Sequence, residues 1–242
     1  MSEYRHEFKY LCEEKQLALL RANLSPLMEA DPHAGPDGIY TVRSLYFDTL
    51  GDRLLRENID GVEPREKFRI RLYNGDASRL RLELKRKEHG MTQKLSCSLS
   101  RKACSRLLAG EAPPPAAVPG SVYLRFFTLW QSALLRPRII VEYDRTPLLY
   151  QNGNVRVTLD TDIRSSYDLG EFLSPQSAGP LACRPVMPPG IHLLEVKYDA
   201  FLPDFIYRAV QALRPHRVTY SKYVLCRRYA PALRAPHFFD CL

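Results

Sequence analysis

The chain has 242 residues but a single tryptophan, and no two of its six cysteines (Cys12, Cys97, Cys104, Cys183, Cys226, Cys241) stand closer than seven positions. That spacing excludes zinc knuckles and CxxC redox motifs. Without a compact cysteine framework, a chain of this length is expected to be a reduced, cytoplasmic protein. No purely apolar run exceeds four residues, whereas a helix spanning a bilayer needs about 20. The opening Met-Ser-Glu-Tyr-Arg-His-Glu lacks the basic-then-apolar order of a secretory signal. The six histidines show no HxxxH or HExxH spacing, which removes the commonest histidine metal motifs. No unit recurs at the period of roughly 20–50 residues that marks solenoids and propellers.

Positive charge is what the sequence has in excess. Lys and Arg number 35 against 27 Asp and Glu, a net charge of +8, while 45% hydrophobic and 26% charged residues remain within globular usage. The excess calls for an anionic partner: nucleic acid, a membrane surface or a phosphorylated small molecule. Composition does not choose among them.

Period-2 alternation supplies the architecture. Phe68, Ile70 and Leu72 oppose Lys67, Arg69 and Arg71; Leu80, Leu82 and Leu84 oppose Arg79, Arg81, Glu83, Lys85 and Lys87. Val155, Val157, Leu159 and Ile163 oppose Arg156, Thr158, Asp160, Asp162 and Arg164, and Leu194, Val196 and Tyr198 oppose Glu195 and Lys197. Tyr4, Phe8 and Tyr10 oppose Arg5, Glu7 and Lys9. Further strands are predicted at 40–47, 91–97 and 138–145. Helical spacing predicts helices at 13–29, 100–108, 121–135, 203–213 and 221–233, with loops inside one domain at 31–38, 113–119 and 173–190. Trp130 is expected in helix packing, and Asp48 either caps the next turn of chain or serves function.

The polar faces carry unusual charge. Residues two apart on a strand stand about 6.6–6.8 Å from each other on one face, so Arg69 and Arg71 set like charges side by side. A sheet built for solvation alone interleaves signs, whereas here single carboxylates at Glu7, Glu83 and Glu195 are set among cations. Such a surface suits a polyanion with a hard divalent metal, which takes one or two carboxylates plus the substrate's phosphates. Closing the sheet with its charged face inward would focus the potential inside low-dielectric walls.

Arg5-His-Glu7-Phe-Lys9-Tyr10, Ser44-Leu-Tyr-Phe-Asp48-Thr49, Lys67-Phe-Arg69-Ile-Arg71, Leu82-Glu83-Leu-Lys85, Tyr143-Asp-Arg145, Val155-Arg156-Val-Thr-Leu-Asp160, Leu194-Glu195-Val-Lys197 and Ser221-Lys222-Tyr223 succeed one another in that order. Together they resemble the VTC (vacuolar transporter chaperone) domain, the polyphosphate polymerase branch of the CYTH-like triphosphate tunnel metalloenzymes. The resemblance covers about residues 3–225 of a single domain spanning 1–242. It implies an α+β fold, an antiparallel β-barrel with a charged interior surrounded by helices. It also implies an ATP- or other nucleoside-triphosphate-dependent transfer of γ-phosphate to polyphosphate, with Mn²⁺ or Mg²⁺ as cofactor.

Carried over by position, the resemblance places Lys9, Arg69, Arg71, Lys85, Arg145, Arg156 and Lys222 on the phosphates and Glu195 on the metal. Glu7 and Glu83 are either further metal contacts or charges that orient Lys9 and Lys85. Arg5, Arg43, Arg81, Lys87, Lys94 and Lys197 are expected to add to the tunnel or its mouth. Arg145 has the opposite parity from Arg138, Glu142 and Asp144, so an inward aim is expected to need a bulge or a strand end. Hydrolytic relatives open with E-x-E-x-K, and Arg5 occupies the first of those places, which favours phosphate grip over water activation. A tripolyphosphate or nucleoside-triphosphate hydrolase and a non-catalytic polyphosphate binder are the alternatives. Nucleic acid is disfavoured, because the cations lie on strand faces rather than a basic helix. With neither an SPX-type domain nor a membrane segment in the sequence, a transport role would need a membrane-protein partner.

Overall fold

The computed structural model describes residues 5–112, 121–175, 181 and 183–228. Its long strands are β1 (His6–Glu13), β3 (Tyr40–Asp48), β4 (Arg65–Tyr73), β5 (Leu80–Glu88), β6 (Met91–Leu99), β7 (Arg136–Tyr150), β8 (Val155–Ser166) and β10 (Ile191–Tyr198). Short pieces β2 (Glu29–Ala30), β9 (Arg184–Pro185) and β11 (His216–Arg217) complete one antiparallel sheet in the order β11-β1-β10-β8-β7-β3-β4-β5-β6, with β2 on β7 and β9 on β8. The sheet curls until its ends meet. Arg5 and Thr92 exchange two backbone hydrogen bonds, of 3.0 and 3.2 Å, between the start of β1 and β6.

Alternation decides which face goes where, and the barrel is inverted as expected: apolar side chains point out beneath helices and charged ones point in. Phe68, Ile70, Leu72, Leu82 and Leu84 pack against α3 (Arg101–Leu108) and α4 (Val122–Ser132), where Phe126 and Trp130 are buried. Val157, Leu194 and Val196 are covered by Leu17, Leu20 and Leu24 of α1 (Glu14–Leu24) and by Ile206 and Val210 of α5 (Asp204–Ala212). Each such buried side chain contributes about 1.5–3 kcal/mol, which fixes the orientation of every long strand. The inside has two parts. Val42, Tyr46, Ile139, Val141, Tyr143 and Leu193 form an apolar cluster closed by Tyr223, Leu225 and Cys226 of α6 (Lys222–Arg227), leaving the other part charged.

Two parity expectations are corrected. Arg145 points inward simply as the continuation of Val141 and Tyr143, because Glu142 and Asp144 occupy the outer face. The bulge lies in β8 instead: Glu142 pairs with Arg164 and Asp144 with Thr161, so Asp162, at φ 49°, and Ile163 together oppose Tyr143. That extra residue turns Ile163 into the inner apolar cluster and sends Arg164 outward, onto Glu142 at 2.8 Å and Asp144 at 3.3 Å. Helix α2 (Arg53–Ile59) is an element that the sequence pattern does not signal. Asp48 creates it, accepting hydrogen bonds from the Leu54 and Leu55 backbone N–H groups at 2.9 Å each and from the Tyr223 hydroxyl at 2.5 Å. The predicted helix at 221–233 is observed as α6, and its part beyond 228 lies outside the described residues, as do Tyr4, the 113–119 loop and Cys241. Among the described residues no helix is long and apolar enough to cross a membrane.

Candidate functional site

The charged part of the barrel is a cavity of about 410 Å³. Among the described residues, eleven cationic side chains line it: Arg5, Lys9, Lys67, Arg69, Arg71, Lys85, Lys94, Arg145, Arg156, Lys197 and Lys222. Glu7, Glu195 and Asp199 are the only ones that line it with negative charge. The strands deliver these groups by register. Lys9 stands opposite Glu195, Arg69 opposite Glu83 and Arg145 opposite Asp160, so carboxylates are interleaved among the cations. Directly opposed unlike charges are the favourable cross-strand arrangement. Elsewhere cation faces cation, as in Lys67 against Lys85 and Arg156 against Lys197.

Each buried carboxylate is clamped by several cations. Glu83 accepts from Arg69 Nε at 2.7 Å and Lys94 Nζ at 2.9 Å, with Arg71 at 3.7 Å. Burial would raise its pKa, yet Arg71, Arg69 and Lys94 outweigh that and hold it well below the carboxylate range. Glu195 accepts from Lys222 Nζ at 2.7 Å and from Lys197, with Arg145 at 3.6 Å and Lys9 at 4.0 Å. Glu7 takes Lys85 Nζ at 2.7 Å and Lys9 at 3.2 Å. For both, burial pushes the pKa up and the surrounding lysines pull it further down. Asp160 receives both arms of the Arg145 fork at 2.6 and 2.7 Å and Lys222 at 2.6 Å.

Two lysines at the junction of strands β4 and β5 have their pKa values held down. Burial is the main influence holding Lys85 down to about 8, with Glu7 opposing it and Lys9 adding to it. Lys67 is also held well below the ordinary lysine value, by burial and then by Lys85, Lys9 and Arg65. Among the described residues no carboxylate lies within 4 Å of Lys67; it donates to the Ser221 hydroxyl at 2.9 Å. Sequence reasoning places Lys67 on the polar face without giving it a role. It also passes over Asp160, Tyr46 and Tyr143. All three sit within motifs that carry the family resemblance, and Arg69 donates to the Tyr46 hydroxyl at 3.0 Å.

Most expected site residues are brought together, and three are not. Arg43 lies on the outer face of β3, bound to Glu142 at 2.5 Å and to the Phe172 and Ser174 carbonyls at 3.2 and 2.6 Å. Its inward neighbours on β3 are Val42 and Ser44, so it belongs to the wall's exterior. Arg81 is exposed near the end of β5 and lines no part of the cavity. Lys87 lies outside the main cavity and pairs with Glu63 at 3.5 Å. Arg5 and Arg156 guard the mouth, joined to Asp199 at 2.6 Å and to Asp31 respectively.

No group of three or more Asp, Glu, His or Cys side chains is arranged to hold a metal among the described residues. A protein-only metal cage is therefore not formed by them. A hard divalent ion that keeps water and phosphate oxygens as its other ligands needs one or two carboxylates. Glu7 and Glu195, linked through Lys9, line the cavity and meet that smaller requirement in number, whereas Glu83 does not line it. In all three carboxylates both oxygens accept from cations, so an ion would have to displace lysine contacts.

Solved structures share this fold. A candidate adenylate cyclase from Bacillus halodurans superposes with a TM-score of 0.50 at 18% identity, over 88% of each chain. HpAC1 from Hippeastrum, described as a candidate adenylyl cyclase with a dominant triphosphatase activity, superposes at 0.54 and 14% identity, over 92% of this chain and 95% of its own. No curated protein matches the sequence. The VTC domain family model matches residues 4–230, which takes in all eight motifs and every strand that lines the cavity, and the chain belongs to the VTC domain family.

Proposed function

We propose that this protein is a phosphotransferase that moves the γ-phosphate of ATP, or another nucleoside triphosphate, onto a growing polyphosphate chain inside the cavity. The observation that carries the reading is the excess of cations over carboxylates in an enclosed space, with its buried carboxylates already neutralised. Such a cavity is short of anions, and a chain of phosphates supplies them. Phosphoryl transfer asks little covalent work of a protein: positioning and charge neutralisation carry most of the catalysis.

The weak basicity of the site's carboxylates favours a phosphate acceptor over water. A side chain that activates water must be a general base with a pKa near the working pH. Glu7, Glu83, Glu195 and Asp160 are all held below their ordinary values, and so are poor bases. A chain-end phosphate is already ionised and needs no base. Its oxygen forms the new bond to the γ-phosphorus, the bond to the β–γ bridging oxygen breaks, and nucleoside diphosphate leaves with the electron pair. Arg69 and Arg71, side by side on β4, would grip adjacent phosphates, with Arg forks taking pairs of oxygens. Lys9, Lys85, Lys222 and Lys197 would act as point charges on the equatorial oxygens, Arg156 would hold the end nearest the mouth, and Arg145, buried beside Asp160 and Glu195, would act deeper in the cavity. A Mn²⁺ or Mg²⁺ ion, held by Glu195 and Glu7, would neutralise phosphate charge when bound.

The test is incubation with ATP and Mn²⁺ beside Glu195→Ala and Arg69→Ala, with products resolved on a polyphosphate-stained gel and orthophosphate counted. A ladder that both substitutions abolish supports the polymerase. Orthophosphate without a ladder makes the protein a hydrolase. If neither product forms while polyphosphate raises the melting temperature, the cavity is a binding module.

A further inference from the structure

Lys222 reaches the charged cavity from a helix too short to place it. Helix α6 has six residues, whereas an isolated helix needs about 12–15 before it holds together in water. The Lys222 ammonium nevertheless stands 2.6 Å from Asp160, 2.7 Å from Glu195 and 4.7 Å from the centre of the Tyr143 ring. What fixes it there must come from the contacts that α6 makes elsewhere.

The next residue, Tyr223, lines no part of the cavity and is 1% exposed. Its ring stacks on Tyr46, with centres 5.1 Å apart and 21° between the planes, and its hydroxyl donates to Asp48 Oδ2 at 2.5 Å. The same hydroxyl accepts from Arg227 at 3.0 Å, and Arg227 reaches Asp52 at 2.7 Å. Asp48 is itself held. Fully buried, it accepts from the Thr49 N–H at 2.7 Å as well as from those of Leu54 and Leu55. One carboxylate thus caps α2 and anchors α6, tying the end of β3 to the helix that carries Lys222. Burial, and then the Asp48 carboxylate, keep the Tyr223 pKa well above its ordinary value, so the hydroxyl stays a donor. A bare aromatic ring would fill the same space without reaching Asp48.

We propose that Asp48 and Tyr223 are positioning residues for phosphate binding: through α6 they set where the Lys222 ammonium stands, with Arg227 and Asp52 bracing the same hydroxyl. The proposal rests on the phosphate-binding reading of the cavity and adds to it two residues that themselves touch no phosphate. Asp48 then fills both roles that its place in the sequence allows, since the cap and the functional contact are one carboxylate.

The experiment is a double-mutant cycle, read by calorimetric titration of the full chain with tripolyphosphate well below the melting temperature of each variant. Lys222→Gln and Tyr223→Phe are each expected to weaken binding about tenfold. In the Lys222→Gln background Tyr223→Phe is expected to cost less than about twofold, because the side chain it positions is gone. Asp52→Asn, which keeps a residue suited to the φ of 54° at that position, is expected to show the same dependence on Lys222 and carries the cycle if Tyr223→Phe does not fold. Full affinity in Tyr223→Phe, or in Asp52→Asn where it stands alone, would overturn the proposal. Losses that multiply to about a hundredfold in the double variant would overturn it too, since the hydroxyl would then act on the fold at large. Wild type that binds no tripolyphosphate would remove the reading of the cavity and this proposal with it.

Discussion

Replacing Glu83 by glutamine tests whether the interior is an anion-deficient cavity rather than a self-contained salt-bridge network. Glu83 is almost fully buried and is the one carboxylate held between Arg69 and Arg71. The amide would keep the shape and one acceptor but remove the charge, leaving two buried guanidiniums short of a counter-charge. Breaking a buried pair from one side costs about 3–5 kcal/mol. Because the cavity opens to solvent, the lower end applies, and in a domain of this size about 3 kcal/mol lowers the melting temperature by roughly 6–12 °C. Tripolyphosphate then becomes the missing anion. At a hundred times its Kd a ligand stabilises a protein by about 2.7 kcal/mol, and in the variant it also relieves the exposed repulsion, so its thermal shift should exceed that of wild type. The acid arm should flatten as well. Glu83 has a depressed pKa, so its stabilisation is present above the unfolded value of about 4.3 and is lost as pH falls through the folded one; Glu83→Gln removes that dependence. Thermal scanning fluorimetry with and without tripolyphosphate reads all three effects. A loss below about 2 °C, or a ligand shift no larger than that of wild type, refutes the reasoning.

Three other substitutions draw on the same geometry. Lys67→Met should raise the ligand-free melting temperature at pH 7 by roughly 2–4 °C, because it deletes a buried cation with no anion, while weakening tripolyphosphate binding in the same titration. The sign is fixed: a lysine depressed in the fold costs stability below its folded pKa, and that cost is relieved as pH rises toward the unfolded value of about 10.4, so the variant's advantage should shrink in alkaline scans. Asp48→Ala should cost about 2–4 kcal/mol in chemical denaturation, since it strips the cap of α2 and the partner of the Tyr223 hydroxyl. Arg5→Glu at the mouth should increase orthophosphate released per phosphate polymerised; an unchanged ratio would show that Arg5 does not bias the acceptor.

The long strands and their inverted facing were legible because each alternates cleanly between Leu, Ile or Val and a charge, as in 67–72. Legibility failed where both faces of a strand are apolar. In β3, Val42, Ser44 and Tyr46 face inward and Leu45 and Phe47 outward, so nothing local marks Arg43 as an outer residue; its partner Glu142 lies 99 positions away. In β8 the pattern is unbroken on paper, yet Asp162 adopts a left-handed conformation that reverses the face beyond it. The cations that line the cavity were anticipated by the family resemblance together with their place on alternating strands. Its interleaved carboxylates were underestimated, because Glu83 meets Arg69, and Asp160 meets Arg145, only across a register that no single strand specifies. Lys67 escaped for a similar reason: its lack of a carboxylate partner among the described residues depends on neighbouring strands and not on β4 alone.

The seam between Arg5 and Thr92 gives the barrel an unusual division of labour. Strands β5 and β6 are stitched along their whole length from Leu80 and Leu99 to Glu88 and Met91, and β1 and β10 likewise from His6 and Tyr198 to Glu13 and Ile191, whereas here two amides complete the circle. What spans the gap is side-chain chemistry: Lys85 reaches from β5 to Glu7 on β1, and Lys67 from β4 to Ser221 beside α6. Backbone ladders carry no net charge, whereas the Lys85–Glu7 bridge is an ion pair for which another anion can compete. The wall is thus fastened along one line by the same ionic groups that would receive the ligand. Occupying the cavity and latching the cylinder become one electrostatic event, in which an arriving polyanion competes for Lys85 and so works directly on the fastening that keeps the cylinder shut.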